Sequence, residues 1–469
     1  MTNLFGPDGL LAVRAARRVL DAGPLMVDAQ GVFWVYDGGV WRPDLAGMVI
    51  RARFVRLLGE RYRPAHARTV HEVLSTLCER FDVAPTPAFI NFRNGMVRWA
   101  GDPDPVLLDH HPEYLSTVRI PVDWDPAAVC PLFDAFLESA VPEDDRDRAW
   151  QVLGYLLMSG NPLQRMFMLT GTGGNGKGVY LNVLRALLGD DNTAAEPLHD
   201  LSENRFSTAE LLGKLANICG DIDATWIQNT ARIKELCGDD RMKGERKNER
   251  QFYFKFWGKA IFSANAVPGS SDSSRGWTRR WEVVPFPYAP TKPDPTLSDR
   301  IVASELPGIA VKAVHALRAL MAAGEFSRGE SADTAHAEFA EKANRVLRWI
   351  GDPDSNVTAD PDTWNKGTIL LSAFRQWEAY DQGNGHKDVG AQRFNELARQ
   401  AGLEPTKRRG QRGYYGLRVA DHVLVRPADA PWRNQRRAES ISAEVPPQDQ
   451  PGHDQTALTW TNAESAPAT

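Results

Sequence analysis

A glycine-rich octapeptide, Gly171-Thr-Gly-Gly-Asn-Gly-Lys177-Gly178, constrains the fold of this chain more than any other feature. It fits the pattern G-x-x-x-x-G-K-[ST] at every position except the last, where Gly178 replaces a hydroxyl residue that normally touches Mg²⁺. Glycines let backbone N–H groups surround phosphate oxygens, and the lysine reaches the β and γ phosphates. The predicted nucleotide-binding residues are Gly171, Thr172, Gly173, Gly174, Asn175, Gly176, Lys177 and Gly178.

The flanks of this loop predict a strand before it and a helix after it. Residues 165–170 form a short apolar run, which is typical of a buried parallel strand. After the loop, apolar pairs recur at helical spacing: Val179 and Tyr180, Val183 and Leu184, Leu187 and Leu188. A helix starting near Gly176 would direct its positive end at the phosphates. The alternative, a glycine-rich turn with a surface lysine, does not explain these flanks.

The overall composition sets limits on partners and environment. The 469 residues suffice for about two to four domains. The net charge is −5, so any contact with nucleic acid must come from local basic patches. The four scattered cysteines favour reduced thiols in a cytosolic setting. We expect neither a signal peptide nor a membrane-spanning segment.

Patterning along the chain predicts five regions. Residues 1–145 are of mixed α and β type, with hairpins predicted at Asp37-Gly38-Gly39 and at Asn94-Gly95. Residues 146–300 alternate between strand-like and helix-like stretches, which is typical of a parallel sheet. Residues 301–355 are predicted to be helical, and residues 360–427 form a smaller unit. The Pro-, Ser- and Glu-rich tail, 428–469, is predicted to be disordered.

Acidic residues follow a second strand-like run, residues 215–220. Asp221 is the candidate for the metal shell, and Asp223, on the same side of an extended chain, is the candidate for polarising water. The alternative is a strand that ends in two solvated aspartates.

Two further motifs extend this pattern. Asn265 ends a third strand, residues 260–264, where its side chain can hydrogen-bond a γ-phosphate or water; the alternative is an asparagine that starts a turn. Arg279 and Arg280 lie between two tryptophans. They form either a stacked surface pair or an arginine finger that enters a neighbouring subunit's nucleotide site.

Two basic segments are candidate DNA-binding elements. The first is a predicted hairpin with an aromatic return strand, carrying Lys243, Arg246, Lys247 and Arg250. A solvated loop of mixed charge is the alternative, because two glutamates dilute the field. The second is a glycine-bent segment after two predicted helices, carrying Lys407, Arg408, Arg409 and Arg412. Helices followed by a basic hairpin favour a winged helix over a small α+β domain with an exposed basic loop.

The order of these motifs resembles the phage and plasmid primase–helicase family, whose motor is a superfamily-3 DNA helicase related to the poxvirus primase–helicase. The resemblance covers residues from about 30 to about 420. Besides the motifs above, it rests on residues 89–95, 120–126, 130–131, 213–218, 233–239 and 305–309, and on Phe374, Trp377, Phe394 and Gly402.

The resemblance implies an α/β fold: an AAA+-like P-loop core, an N-terminal α+β pre-helicase domain and a C-terminal winged helix. It implies ATP and Mg²⁺ as cofactors, a hexameric ring, and translocation on single-stranded DNA from 3′ to 5′. It makes Arg280 the better finger candidate. The expected setting is the bacterial cytoplasm, where a phage, prophage or plasmid replicates with an unidentified primase or polymerase. No membrane partner is expected.

Two departures from the family pattern bear on activity. Only about 150 residues precede the motor, and they carry no acidic nucleotidyl-transfer cluster or zinc ribbon, so primer synthesis is not expected. At Gly178, Thr172 or a water is expected to complete the metal site. The alternative function is a nucleotide-responsive DNA-binding initiator or loader that hydrolyses little ATP. A third possible function, that of an ATPase that packages DNA or remodels proteins, accounts for the glycine-rich loop but explains the predicted winged helix poorly.

Overall fold

The computed structural model describes residues 4–7, 9–28, 31–80, 87–222, 227, 229–238, 240–245, 251–265, 275–382 and 389–420. The chain divides into two compact units, Met1–Arg348 and Trp349–Thr469. The tail that was predicted to be disordered, 428–469, lies outside the described residues.

The first part of the first unit is a small α+β arrangement. Its strands are β1 (Phe5–Gly6), β2 (Gly9–Leu10), β3 (Leu25–Val27), β4 (Phe33–Asp37), β5 (Val40–Pro43), β6 (Glu79–Arg80), β7 (Phe89–Phe92), β8 (Gly95–Arg98) and β9 (Val106–Leu108). Its helices are α1 (Ala12–Asp21), α2 (Met48–Leu58) and α3 (Pro64–Leu77). The sheet β5-β4-β3-β6 and the three helices share a buried core that includes Val19, Phe33, Phe54 and Leu74.

Both hairpins predicted in this region are present, but the second turns one residue earlier than predicted. In the first, Asp37 pairs with Val40, and Gly38 and Gly39 both have positive φ, as a tight hairpin turn requires. In the second, Phe92 pairs with Gly95, so the turn is Arg93-Asn94. A Cβ on Gly95 would lie 2.5 Å from the Leu108 carbonyl oxygen. The absence of a side chain at Gly95 therefore allows β9 to approach closely.

The second part of the first unit is built on a five-stranded sheet. Its strands and hairpin are β10 (Met166–Thr170), β11 (Thr193–Ala194), β12 (Ala216–Cys219), β13 (Met242–Gly244), β14 (Phe252–Phe254), β15 (Lys259–Ala264) and β16 (Trp281–Pro285). Its helices are α4 (Pro131–Ala140), α5 (Arg146–Leu157), α6 (Lys177–Leu188), α7 (Leu198–Glu203), α8 (Thr230–Glu235), α9 (Arg275–Thr278), α10 (Leu297–Ser304), α11 (Leu306–Ala323) and α12 (Glu330–Ala343). Helix α13 (Arg345–Gly351) begins in this unit and ends in the second.

The sheet has the order β11-β12-β15-β10-β16, and every described pairing in it is parallel. Strand β10 is buried on both faces: Phe167 and Leu169 face one apolar cluster, and Met166 and Met168 face the other. This is why its sequence is a continuous apolar run. The predicted mixed α/β class is confirmed, and the parallel sheet is compatible with a P-loop-like core.

One helix has a composition that the sequence analysis did not anticipate. Helix α11 spans 18 residues with a mean hydropathy of 1.3, so by length and composition alone it passes as a membrane span. Its side chains Ile309, Ala313 and Leu317 are fully buried against the core. Helix α5 approaches so closely that a Cβ on Gly154 would overlap the Ala313 carbonyl oxygen. The apolar composition of α11 therefore reflects packing inside the first unit.

The second unit contains β17 (Val357–Lys366), α14 (Gly367–Gln382), α15 (Ala391–Gln400), β18 (Pro405–Arg408) and β19 (Gln411–Val419). Its antiparallel sheet has the order β17-β19-β18. Trp349, Phe374, Trp377 and Phe394 pack as a buried aromatic cluster. The two helices and the final hairpin were predicted, whereas β17 was not. Most of its residues are polar, and all but Val357 are exposed or half-exposed, so it lacks the apolar alternation that marks a strand.

Candidate nucleotide site and nucleic-acid interface

The predicted nucleotide-site residues converge at one edge of the parallel sheet. The glycine-rich loop follows β10, Asp221 follows β12 after one glycine, and Asn265 follows β15 directly. Strand β15 lies between the other two, so all three carboxyl ends meet at the same edge. Asp223 lies outside the described residues.

The loop adopts a conformation that depends on its glycines. Gly173, Gly174 and Gly176 have φ values of 95°, 63° and 91°, where side chains other than glycine are strained. A Cβ on Gly171 would overlap the Asn175 amide, and that amide donates a hydrogen bond to the Phe286 carbonyl. The buried Asn175 side chain therefore ties the loop to the chain that follows β16.

Lys177 is 5% exposed at the first position of α6, and its ammonium joins the loop to β15. Its Nζ donates to the Gly171 carbonyl at 2.7 Å, and to Asn175 Oδ1 and Asn265 Oδ1 at 3.1 Å each. Partial burial lowers the pKa of Lys177, and the Asp221 carboxylate opposes that shift. Because the ammonium is partly desolvated among neutral acceptors, an anion beside it is strongly favoured.

Asp221 is held by a residue that sequence reasoning missed. Its φ is 48°, which is uncommon for a residue with a side chain. Its backbone N–H donates to Ser263 Oγ at 3.1 Å, and the next N–H, of Ile222, donates to the Ser263 carbonyl at 2.9 Å. Ser263 is 2% exposed and lies two residues before Asn265 on β15. Since side chains alternate along an extended chain, Ser263 and Asn265, the residue directly after β15, lie on the same side. The polar Ser263 inside an apolar strand was the available signal.

Gly178 lies on the exposed side of α6. A Cβ added there would have no atom within 4 Å, so the position has room for a larger side chain. Its φ also lies outside the positive range, so neither sterics nor backbone conformation requires a glycine.

The residues at this edge fit a nucleotide with its cation. The loop supplies backbone N–H groups at the start of α6, and Lys177 supplies a partly buried positive charge. Asp221 is the carboxylate that would hold Mg²⁺, which proteins commonly bind through one or two carboxylates together with the substrate's phosphates. Bound ATP would supply the phosphoanhydride bond between the β and γ phosphates, whose hydrolysis releases free energy.

The paired arginines lie at the opposite end of the sheet, where the parallel strands begin. The backbone N–H of Met166, the first residue of β10, donates to the Arg280 carbonyl at 2.7 Å, so Arg280 is level with the start of β10, whereas the loop follows the end of β10. A five-residue strand spans about 16 Å. These arginines therefore lie about one strand length from the glycine-rich loop of their own chain.

The two arginines differ in exposure. Arg279 is exposed, and its guanidinium donates to Gln164 Oε1 at 3.1 Å. Arg280 is half-buried and donates to the Gly276 carbonyl. Burial raises the pKa of the nearby Cys237 thiol to about 11, and the Arg280 guanidinium opposes that rise. In this conformation, Arg279 is the freer of the two to reach another molecule.

A buried ion-pair network supports the arginine segment. Arg165 pairs with Glu282 at 2.8 Å and also donates to the Arg279 carbonyl. Arg148, 3% exposed, lies 3.5 Å from the same glutamate and donates to the Ser327 carbonyl at 2.7 Å. Burial raises the pKa of Glu282, and the guanidinium groups of Arg165 and Arg148 oppose that rise. The network anchors the backbone around Arg279.

The predicted basic hairpin is present as β13 and β14, which pair antiparallel. Lys243 is exposed at its centre. Three of its predicted DNA-binding residues, Arg246, Lys247 and Arg250, lie outside the described residues.

The basic hairpin of the second unit is β18 and β19. Arg408 pairs with Gln411, so Arg409-Gly410 is a two-residue turn, with φ values of 50° and 78°. All four predicted DNA-binding side chains are exposed: Lys407, Arg408, Arg409 and Arg412. Arg412 also lines an open cleft of about 410 Å³ with four residues of α15, Gln392, Asn395, Glu396 and Arg399.

Two family descriptions match parts of the chain. Residues 25–142 match the family described as D5 N terminal like. Residues 169–280, from the end of β10 to the paired arginines, match a family of unknown function, DUF5906.

Curated proteins and solved structures include relatives that are similar to the chain. The "Putative helicase L207/L206" of Acanthamoeba polyphaga mimivirus is 27% identical over 161 residues, which is 33% of this chain and 17% of that protein. The match therefore spans about a sixth of the relative's length. Two apo structures of the NrS-1 C-terminal region, both at 12% identity, cover 87% of this chain and 99% of theirs, with TM-scores of 0.48 and 0.43.

Proposed function

Since the chain is related to the phage and plasmid primase–helicases, we propose that it is an ATP-dependent DNA helicase acting in replication. The motor would translocate on single-stranded DNA and unwind duplex DNA. Residues 146–300 would be its ATPase core and residues 301–355 a helical extension. Primer synthesis is not part of the proposal.

The observation that carries this proposal is the convergence of Lys177, Asp221 and Asn265 at one sheet edge. Lys177 touches Asn265 directly, and Ser263, two residues before Asn265, holds Asp221. Lys177 would bind the β and γ phosphates, Asp221 would hold Mg²⁺, and Asn265 would orient the γ-phosphate or water. Asp223, two residues after Asp221 in the sequence, is proposed to polarise that water.

The paired arginines support action between subunits. Arg279 and Arg280 lie about one strand length from their own loop. We therefore propose that they contact the nucleotide of a neighbouring subunit in a hexameric ring. The basic residues of β13–β14 and its tip are proposed to contact single-stranded DNA.

The remaining parts of the proposal concern domains and setting. The order β17, α14, α15, β18, β19 is compatible with a winged helix, and we propose residues 360–427, which begin within β17, as a DNA-binding winged helix. Residues 1–145 are proposed as the pre-helicase domain. The proposed direction is 3′ to 5′, and the proposed place is the cytoplasm of a bacterium that carries the phage, prophage or plasmid. A separate primase or polymerase is the proposed replication partner.

ATP turnover in the presence and absence of single-stranded DNA tests the proposal. We expect the wild type to hydrolyse ATP faster with DNA and Lys177→Ala to lose turnover, because the phosphates lose their cation. Lys214→Ala is the matched control, since this half-exposed lysine donates to the Asp191 carbonyl outside the site. A wild type that does not hydrolyse ATP would contradict the proposal.

A second candidate function follows from Gly178. A site without the metal-touching hydroxyl suits a nucleotide-responsive initiator or loader that binds ATP and DNA but hydrolyses little. Tight binding of an ATP analogue together with origin DNA, without turnover, would favour this candidate.

A further inference from the structure

The hairpin β13–β14 has one buried face and one exposed face. Met242 is fully buried and Phe254 is 7% exposed; the two are cross-strand partners in the core beside the sheet. The next pair along the hairpin is Lys243 with Tyr253. Since successive side chains point to opposite faces, both members of this pair stand outward together.

Tyr253 is unusually open for an aromatic side chain. It is 57% exposed, the largest fraction among the exposed aromatic side chains of the described residues. The hairpin beneath it is anchored: Thr208 Oγ1 donates to the Lys243 carbonyl at 2.8 Å, and Arg205 pairs with Glu245 at 3.2 Å. The fold therefore places a rigidly supported aromatic ring beside a lysine on the surface.

The surrounding sequence is basic although the chain is acidic. Residues 241–255 contain six lysines and arginines and two glutamates, a local charge of +4 in a chain of net charge −5. Positive charge on its own attracts any polyanion. An exposed ring at the same place suits a polyanion with planar apolar faces, which is an unpaired nucleic-acid strand.

We propose that Tyr253 is a base-stacking residue: its ring packs on one unpaired base of a single DNA strand while Lys243 neutralises an adjacent phosphate. This inference rests on the proposed function, because it names how the hairpin grips the strand. Every base has a flat face, so the contact is independent of sequence, as a translocating motor needs.

Binding of labelled oligonucleotides by the full chain without nucleotide tests this inference. One probe is a dT strand, and the other is an abasic strand of the same length, which keeps the phosphates and lacks the bases. We expect the wild type to prefer dT. Tyr253→Leu should lose about tenfold in affinity for dT and little for the abasic strand, because stacking needs an aromatic ring. Tyr253→Phe should stay near the wild type.

Two further variants separate charge from stacking. Lys243→Ala should weaken both probes and flatten the salt dependence, since it removes a phosphate contact. Tyr288→Leu, at a 52% exposed tyrosine three residues after β16 and outside the hairpin, should leave both affinities unchanged. With 5-iododeoxyuridine in the strand, ultraviolet light should crosslink the peptide that contains Tyr253.

The outcomes are distinguishable. Equal affinities of Tyr253→Leu and Tyr253→Phe, or equal losses on dT and abasic strands, would overturn the stacking role while DNA binding stands. A wild type that binds neither probe would overturn the proposed function as well.

Discussion

Lys177 contacts Asn265 directly, Ser263 holds the Asp221 backbone at the same end of the sheet, and the sequence anticipated part of this arrangement. The loop pattern predicted Lys177, and the strand-end rule predicted Asp221 and Asn265, because carboxyl ends of parallel strands share an edge. It could not predict that Ser263 holds the Asp221 backbone, because a serine in an apolar strand has many possible partners. The left-handed φ of Asp221 was equally hidden, since nothing local requires it.

Gly178 gives a prediction at the residue scale. Gly178→Ser has room in the structure and restores the hydroxyl that normally touches Mg²⁺. We expect the half-saturating Mg²⁺ concentration for ATP hydrolysis to fall several-fold. The free energy of unfolding should rise by about 0.5 kcal/mol, because serine has a higher helix propensity than glycine.

Gly178→Ala is the matched control for this prediction. It gains helix stability without a hydroxyl, so its Mg²⁺ requirement should match that of the wild type. A Gly178→Ser enzyme with an unchanged Mg²⁺ titration would show that the metal does not lie against this position.

At the scale of elements, the predicted helices and strands were mostly correct because their periodicity was clear. Helix α6 buries Tyr180, Val183, Leu184 and Leu187, as the spacing predicted. The predictions were wrong where contacts between residues distant in the sequence determine the local structure. Gly95 signalled a turn but serves the approach of β9, and the polar strand β17 is a strand because it pairs with β19.

The hairpin β18–β19 gives a prediction at this scale. Arg409 holds a left-handed conformation, with a φ of 50°, that glycine adopts at lower cost. Arg409→Gly should therefore stabilise the second unit by about 1 kcal/mol. The same change should weaken duplex DNA binding and flatten its salt dependence, because one phosphate contact is lost.

Arg408→Ala separates the two effects, because Arg408 is exposed in a regular strand. It should weaken DNA binding without raising the melting temperature. If Arg409→Gly stabilises the protein and leaves DNA affinity intact, the hairpin tip does not touch DNA.

At the scale of the whole molecule, the sheet separates the glycine-rich loop from the paired arginines. We therefore expect Lys177→Ala and the double variant Arg279→Ala/Arg280→Ala each to lose ATP turnover alone. Mixed one to one, they should regain turnover, because in a randomly assorted ring roughly a quarter of interfaces join an intact loop to intact arginines. ATP hydrolysis measured across mixing ratios checks this.

A mixture no more active than its components would contradict action between subunits. Light scattering of the wild type with an ATP analogue and single-stranded DNA reports the assembly directly. The sequence suggested a ring only through resemblance, because one chain's pattern does not encode which surfaces meet in an oligomer.

Strand displacement from forked DNA tests the central claim most directly. With ATP and Mg²⁺, the wild type should release the labelled strand from a fork with a 3′ single-stranded tail, and Lys177→Ala should not. A wild type that hydrolyses ATP in the presence of DNA and yet displaces no strand from forks of either tail polarity would contradict the account.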